Sequence, residues 1–591
     1  MKKALNQYGK LVDIMESTKK DTYTCPVCKE PLTRNFGEKS QFYSHPKGLG
    51  DSCELKLKLI IKDDNLEGLT EEEIDILKTE YYNKEFNDVH IELSDYKSNE
   101  GYYLTQEQKN IIFSKEDRIK ISALAGSAKS STLYYYAKER PFKKILYLVY
   151  NKSMKDEADK MYSRLPHVEV RTIHSLAYGF VGKFYKNKLT FNYGVVDVIK
   201  DLNLNWSNDM ELATKIHKMM SEYSLSSAIE FEDIDLFDED ERYLIISNCK
   251  QLWELKKNYN NNIKVTHDDY LKMFQLSKKS LSHKYDIIML DEAQDSSLLM
   301  LDILKSSNVN GIVIVGDQFQ SIYGWRNATN IMPYFEGKEY KLTTSFRVSQ
   351  NIANIANIII SDINKVDIGM KGFNNNQKIV DAINKNEPYV CLCRTNAYIF
   401  AEVFEVLDSN RYAKLFFEGG YSSYSFNNIK DFYFFSKGHK TKNPLFNKFD
   451  DFYSMIEYAN EIEDYEILAL NRMLFKYGSR IPEIVDRIKN NTTTKKSDAS
   501  VIFSTIHRAK GQTYLQPVYI SDDHFDIEKV FKKEYILHEE YFDINKYYEE
   551  MCLVYVAVSR CFGEVELSPK LKEYLLLRWK HFNDDSIKTI K

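Results

Sequence analysis

Residues 285–297 read YDIIMLDEAQDSS, and residues 311–326 read GIVIVGDQFQSIYGWR after a short helical spacer. Two apolar runs, 287–290 and 312–315, each end abruptly in carboxylates. Fully apolar runs of this length read as strands buried on both faces, hence as a parallel sheet with helices on either side. Residues at the carboxyl ends of such strands sit where open α/β sheets place their ligands. Asp291, Glu292, Asp317 and Gln320 are therefore expected to face a crevice, and their chemistry suits a Mg-nucleotide.

At 591 residues the chain is too long for one core, and its length predicts roughly three to five domains. Hydrophobic content of 43% and charged content of 28% describe an ordinary globular protein. No apolar run approaches the roughly 18 residues that span a bilayer, and the first residues lack a signal-peptide apolar core. Eight unevenly placed Cys, three of them before residue 54, do not form a disulfide framework, which implies a reducing cytoplasm. The net charge of −5 gives no whole-chain support for nucleic-acid binding, although a groove gripping single strands needs only local basic and aromatic residues. The 43 Tyr and 33 Phe, with abundant Lys, Ile and Asn, point to AT-rich coding, as in a low-GC bacterium or a phage-infected cell, and carry no function.

Near the start stand Cys25-Pro-Val-Cys28, His45 and Cys53. A Cys-x-x-Cys turn offers two thiolates to one metal, and a distant His and Cys can complete a tetrahedral Zn²⁺ site. A chance pair of buried thiols is the plainer alternative. Residues 61–100 read as an acidic helical connector. Thr105 then N-caps a helix that carries Gln108. The stretch RIKISALAGSAKSSTLYYYAKE has the order strand, small-residue loop, helix. Ala125, Gly126, Ser127 and Ala128 would cradle phosphates with backbone N–H groups, Lys129 would reach the outer phosphates, and Ser130, followed by Ser131, would offer a hydroxyl to Mg²⁺. Ala123 and Ala128 occupy glycine positions of the strict loop pattern, and Ala where φ must be positive costs about 1 kcal/mol. The strands that follow end in Asn151-Lys152 and in Thr172-Ile173-His174, polar groups on one sheet edge that suit phosphate-backbone contacts.

Together with SFRVSQ, TIHRAKG and YVAVSR, these motifs resemble the UvrD/Rep-like branch of superfamily 1 DNA helicases, and more closely its F-box DNA helicases. The resemblance runs from Leu104 to about residue 568, leaving out the interiors of two insertions. It implies an α/β fold with two RecA-like parallel-sheet motor domains, each with a mainly helical insertion. The expected divisions are a zinc module at 1–60, the connector at 61–100, motor domain 1A at 101–180 and 285–345, and insertion 1B at 181–284. Motor domain 2A is expected at 346–400 and 499–591, with insertion 2B at 401–498. CPVC…FYSH…C in turn resembles the zinc ribbon that opens CoiA-like proteins, a module suited to a protein partner.

The same resemblance implies roles residue by residue. Gln108 would read adenine and Phe346 would stack on it. Lys129 would hold phosphate, Ser130 and Asp291 Mg²⁺, and Glu292 would be the general base. Gln320 would sense the γ-phosphate of ATP, and Arg347 and Arg560 would be arginine fingers from the second motor domain. Asn151, Lys152, Thr172, His174, Tyr323, Trp325, Arg326, Arg394 and His507 would contact DNA, with Trp325 stacking on a base. Gln512-Thr513 replaces the family's usual Leu-Glu, so any ribose contact falls to Thr513. The implied activity is ATP-driven 3′–5′ movement on single-stranded DNA with unwinding of forked DNA. An inactive helicase-like DNA-binding module is the alternative. For the zinc expectation, Cys25→Ser and Cys53→Ser should each lower bound zinc in elemental analysis, and undiminished zinc would remove those residues as ligands.

Overall fold

The structure is a computed structural model. It describes residues 91–99, 101–206, 208–322, 330–364, 369–374, 377–443, 445–461, 465–521, 544–572 and 575, together with five short strands between residues 3 and 44. Those five strands form one antiparallel sheet, in which Tyr23–Thr24 pairs with Pro31–Phe36. Among the described residues no helix is long and apolar enough to cross a membrane.

Six strands build the first large sheet: β1 (Arg118–Ala123), β2 (Ile145–Val149), β3 (Val168–Thr172), β4 (Ile287–Leu290), β5 (Gly311–Gly316) and β6 (Lys338–Leu342). Their order is β3-β2-β4-β5-β1-β6, and every pairing is parallel. All residues of β4 and β5 are buried, as their unbroken apolar runs require. Alternate side chains feed two cores. Ile287, Met289, Val313 and Val315 pack with Leu133, Tyr136 and Ala137 of the helix Lys129–Lys138. Ile288, Leu290, Ile312 and Ile314 face the opposite side, against Leu299 and Ile303 of the helix Leu298–Ser306. At Gly311 a Cβ would stand 2.8 Å from the Ile287 side chain, so only glycine lets β5 lie this close to β4.

The helices of the first insertion, Val195–Asp201, Met210–Leu225, Glu239–Lys257 and His267–Leu276, have no core of their own. Their apolar faces continue the second of those cores, so the insertion is fused to the sheet. Inside it Lys256 and Asp269, only 2% and 4% exposed, form a 2.5 Å ion pair. Asp269 also accepts from the Thr266 N–H (2.8 Å) and the Ser224 hydroxyl, and Lys256 lies over the Tyr193 ring.

A second parallel sheet holds β7 (Lys378–Val380), β8 (Tyr389–Cys393), β9 (Leu415–Phe417), β10 (Val501–Thr505), β11 (Val518–Ile520) and β12 (Glu564–Glu566). Its order is β7-β12-β11-β8-β10-β9. The helices Gln350–Asn364 and Ile544–Val558 contribute to the core on one face, and Asn396–Ser409 and Ile481–Asn491 to that on the other. Leu124 and Ala125 of the loop after β1, with Phe319 and Ile322 after β5, are packed in the second sheet's core. The two sheets are thus joined at the carboxyl ends of β1 and β5. This is the α/β architecture of two RecA-like units that the sequence implies.

Two expectations need correction. The connector expected to be helical through residue 100 ends instead in a strand, Leu93–Lys97, paired antiparallel with Tyr103–Thr105. Buried Ser94 fastens that hairpin through its hydroxyl to the Leu104 carbonyl (2.9 Å). The span 401–498 expected as insertion contains β9, because LFF pairs with β10 and extends the sheet.

Removing one partner of a buried ion pair strands the other charge. Asp269→Ala should therefore cost about 3–5 kcal/mol in chemical denaturation followed by fluorescence of buried Trp253. A loss below about 1 kcal/mol would contradict the buried pairing.

Candidate active site

The loop after β1 is shaped by two residues with positive φ. Gly126 has φ 72°, and a Cβ there would lie 2.6 Å from the Arg347 Cβ and the Ser345 Oγ. Its carbonyl accepts from the Phe346 N–H at 2.9 Å. Ala128 also takes a left-handed conformation, φ 58° and ψ 41°, directly before the helix that starts at Lys129. Ala123 does not: it ends β1, buried at 2% exposure, so its methyl costs the loop nothing, contrary to expectation. The Ser127 hydroxyl donates to the Leu124 carbonyl (2.7 Å) and tightens the turn.

Carboxylates gather at the ends of β4 and β5. Asp291 is 3% exposed; its Oδ2 accepts from Ser130 Oγ (3.0 Å) and Tyr147 OH (2.6 Å), and its Oδ1 from the Glu292 N–H (2.9 Å). Glu292 is held at φ 53°, a left-handed backbone that a non-glycine residue adopts only under constraint. Lys129 Nζ lies 3.8 Å from its Oε2, to which Gln294 Nε2 donates at 2.6 Å. Fully buried Asp317 donates its N–H to Gln294 Oε1 (3.0 Å) and accepts from Gln320 Nε2 (2.7 Å).

The second sheet completes this cluster. Arg560 stands two residues beyond the helix Ile544–Val558, is 1% exposed, and donates from Nη2 to Gln320 Oε1 at 3.1 Å. Tyr555, on the same helix, accepts from the Ala125 N–H (2.8 Å) and donates to Asp317 Oδ2 (3.0 Å). Lys510 pairs with Asp295 at 2.5 Å. Arg347 donates to the Ser559 carbonyl (3.3 Å).

Burial sets the electrostatics. It raises the Asp291 carboxyl, and the Glu292 charge adds to that; it also raises Asp317, and Asp295 to about 6. Burial opposes ionisation of Glu292 as well, yet Lys129, Lys510, the Gln294 hydrogen bond and Arg560 together bring it down to about 2. Arg347 is lowered to about 9 by burial and then by the charge of Arg560. A base kept ionised beside several cations, with a hydroxyl and a carboxylate adjoining, is an arrangement for binding phosphates and activating water.

Beside the loop opens a cavity of about 610 Å³, lined among others by Tyr103, Gln108, Ala128, Ser131, Tyr135 and Phe346. The Gln108 side chain is buried there, donating to Thr132 Oγ1 (3.1 Å) and accepting from the Thr105 N–H (3.1 Å). Thr513 is exposed and does not line this cavity.

The residues expected to contact a nucleic-acid strand are more dispersed. Asn151 and Thr172 use their side-chain oxygens as N-caps, accepting from the N–H groups of Met154 (2.9 Å) and Ser175 (3.1 Å), with Lys152 exposed beside the first. His174 Nε2 is 3.2 Å from Asp268 Oδ1. Arg394 is held two-pronged by Glu550, so its guanidinium is already neutralised. His507 lies on the short helix Ile506–Ala509. Tyr323, Trp325 and Arg326, and the four zinc candidates Cys25, Cys28, His45 and Cys53, lie outside the described residues.

Tyr147, Gln294, Asp295, Lys510 and Tyr555 were not singled out from the sequence. Four of them sit inside DEAQD, HRAKG and YVAVSR, where a motif boundary was the available signal. Tyr147 looks like any other strand residue in KILYLVY.

A small-residue loop and strand-end carboxylates on one parallel sheet, met by basic side chains from a second, define a two-sheet cleft whose chemistry suits phosphates. Residues 104–336 match the UvrD/REP helicase N-terminal domain. Over 517 residues the chain is 29% identical to F-box DNA helicase 1 of Gallus gallus, covering 81% of this chain and 50% of that protein. It is 26% identical over 460 residues to F-box DNA helicase protein 1 of Schizosaccharomyces pombe, covering 69% and 51%. DNA helicase II of Rickettsia typhi is 23% identical over 297 residues, 44% of either chain. The chain thus spans about half the length of the F-box helicases it matches.

Because Ala128 holds a left-handed backbone, Ala128→Gly should stabilise the protein by about 1 kcal/mol, read as a higher urea midpoint. An unchanged or lower midpoint would mean that the alanine carries no strain.

Proposed function

We propose that this chain is a DNA-dependent ATPase that moves along single-stranded DNA, 3′ to 5′, and opens duplexes at forks. The observation that carries this reading is the hydrogen bond from Arg560 to Gln320, which brings a cation of the second sheet into the carboxylate cluster of the first. Proteins named DNA helicases resemble the chain on both sides of that cleft, which supports the same reading.

In this function Lys129 binds the outer phosphates of ATP, and the N–H groups of the loop around Gly126 cradle them. Ser130 Oγ and Asp291 Oδ2, 3.0 Å apart, are hard oxygen ligands that suit Mg²⁺. When bound, Mg²⁺ neutralises charge on the phosphate oxygens. Glu292, held ionised, orients the attacking water and accepts its proton. Gln320 lies at the γ-phosphate, and Arg347 and Arg560 stabilise the charge that spreads over the transferring phosphoryl group. Phe346 and Gln108 take the adenine in the cavity beside the loop. Closure of the cleft around ATP and its release after hydrolysis would move the two sheets against a strand held by Lys152, His174, His507 and the aromatic Trp325.

The test is ATP hydrolysis by the full chain with and without a single-stranded oligonucleotide, with fork unwinding measured in parallel. The wild type should be strongly stimulated, and Lys129→Ala and Glu292→Gln should each lose about 10²-fold or more. A wild type without DNA-stimulated hydrolysis would overturn the proposal in favour of a DNA-binding module lacking a motor.

A further inference from the structure

Tyr147 is a polar residue in a strand that has no local reason to hold one. β2 reads ILYLV and is buried from end to end. Tyr147 shares its core with Ile145, Val149, Met289 and Val313, where a Phe or a Leu would pack as well. A buried phenol needs a hydrogen-bond partner, and leaving it without one is costly. The partner here is Asp291, whose Oδ2 accepts from Tyr147 OH at 2.6 Å.

Strand register explains the reach. β2 and β4 run parallel with Tyr147 level with Met289, two residues before Asp291. The ladder continues to Asp291, whose N–H donates to the Leu148 carbonyl at 3.1 Å. Two residues of strand advance about 6.6 Å, and a tyrosine side chain leaning along the strand covers that distance. The ring is braced by Tyr162, the last residue of the helix Lys152–Tyr162, with centroids 4.7 Å apart. The Tyr162 hydroxyl has no hydrogen-bond partner among the described residues, so it braces by packing.

Three donors from different elements therefore fix the Asp291 carboxylate: Ser130 and Tyr147 on Oδ2, and the Glu292 N–H on Oδ1. At 3% exposure, water has little access to replace a lost donor. Ser130 and Asp291 are the oxygen donors assigned above to Mg²⁺, whereas Tyr147 stands behind them. A donor behind a ligating carboxylate sets its orientation, and losing one typically lowers metal affinity 10–100-fold. Mg²⁺ is sensitive to that orientation because it requires near-octahedral geometry.

We propose that Tyr147 is a positioning residue for Mg²⁺: its hydroxyl aims Asp291 Oδ2 beside Ser130 Oγ and so sets the Mg²⁺ requirement of nucleotide binding. The inference rests on the function proposed above and deepens its metal site by a residue that is not itself a ligand.

The experiment compares wild type, Tyr147→Phe and Tyr162→Phe as full chains. Binding of a fluorescent, non-hydrolysable ATP analogue is titrated with Mg²⁺ and repeated in EDTA, with thermal unfolding of each variant as the check on folding. Tyr147→Phe keeps the ring and removes only the oxygen; it should raise the Mg²⁺ midpoint about tenfold or more. Its affinity for the analogue in EDTA should stay within about threefold of wild type, because the bond acts through the metal. Tyr162→Phe, which removes the neighbouring unpartnered hydroxyl, should leave the Mg²⁺ midpoint at the wild-type value. A wild-type midpoint in Tyr147→Phe overturns the inference, as does an equal loss of binding in EDTA. An equal shift in Tyr162→Phe also overturns it, by assigning the effect to the aromatic packing. A wild type that binds the analogue equally with and without Mg²⁺ overturns the metal site of the function proposed above. A Mg²⁺-dependent wild type matched by Tyr147→Phe overturns this inference alone.

Discussion

Buried negative charge at the ends of two adjacent strands governs the middle of this molecule. Asp291 and Asp317 are almost entirely withdrawn from water, and Glu292 and Asp295 stand beside them. Carboxylates in such a place must be protonated, hydrogen-bonded or met by cations. The first sheet supplies part of the answer through Lys129, Ser130, Tyr147 and Gln294. The remainder comes across the cleft from Lys510, Tyr555 and Arg560. Charge compensation therefore holds the two sheets in register at one place, and Leu124, Ala125, Phe319 and Ile322 add apolar packing to that contact.

The same constraint makes the site responsive. Glu292 and Ala128 both hold left-handed backbones, which the surrounding contacts stabilise against their intrinsic cost. Burial and then the nearby charge of Arg560 lower the proton affinity of Arg347, an arrangement that added phosphate charge would relieve. In the proposed function the nucleotide is the missing counter-charge. Its arrival tightens a contact that already exists, and its hydrolysis removes the reason for that contact.

Much of this was legible in the sequence. The apolar runs of β4 and β5 end in polar residues because they are buried on both faces, and that pattern alone implies a parallel sheet and a crevice. The small-residue loop with Lys129 and Ser130 is legible beside those strand ends, and of the two alanines at glycine positions Ala128 takes the left-handed backbone while Ala123 stays in the strand. Other features depend on distant parts of the chain. Tyr555 meets Ala125 across 430 residues and Lys510 meets Asp295 across 215, and no local period encodes such pairings. Asn151 and Thr172 looked like strand-edge donors, yet their side chains first serve as helix caps, a role any Asn or Thr at a strand–helix junction can take. The hairpin at 93–105 was hidden because LSDYK is short and polar, and its strand is settled by pairing with Tyr103–Thr105.

The central claim is that the second sheet completes the chemistry of the first through Arg560. Its most direct test is single-turnover ATP hydrolysis by Arg560→Ala at saturating ATP and single-stranded DNA, alongside nucleotide binding by the same variant. The account predicts a hydrolysis rate lower by about 10³-fold or more with ATP still bound, as for loss of an arginine that stabilises transferring phosphate. A variant that hydrolyses bound ATP at the wild-type rate would contradict it.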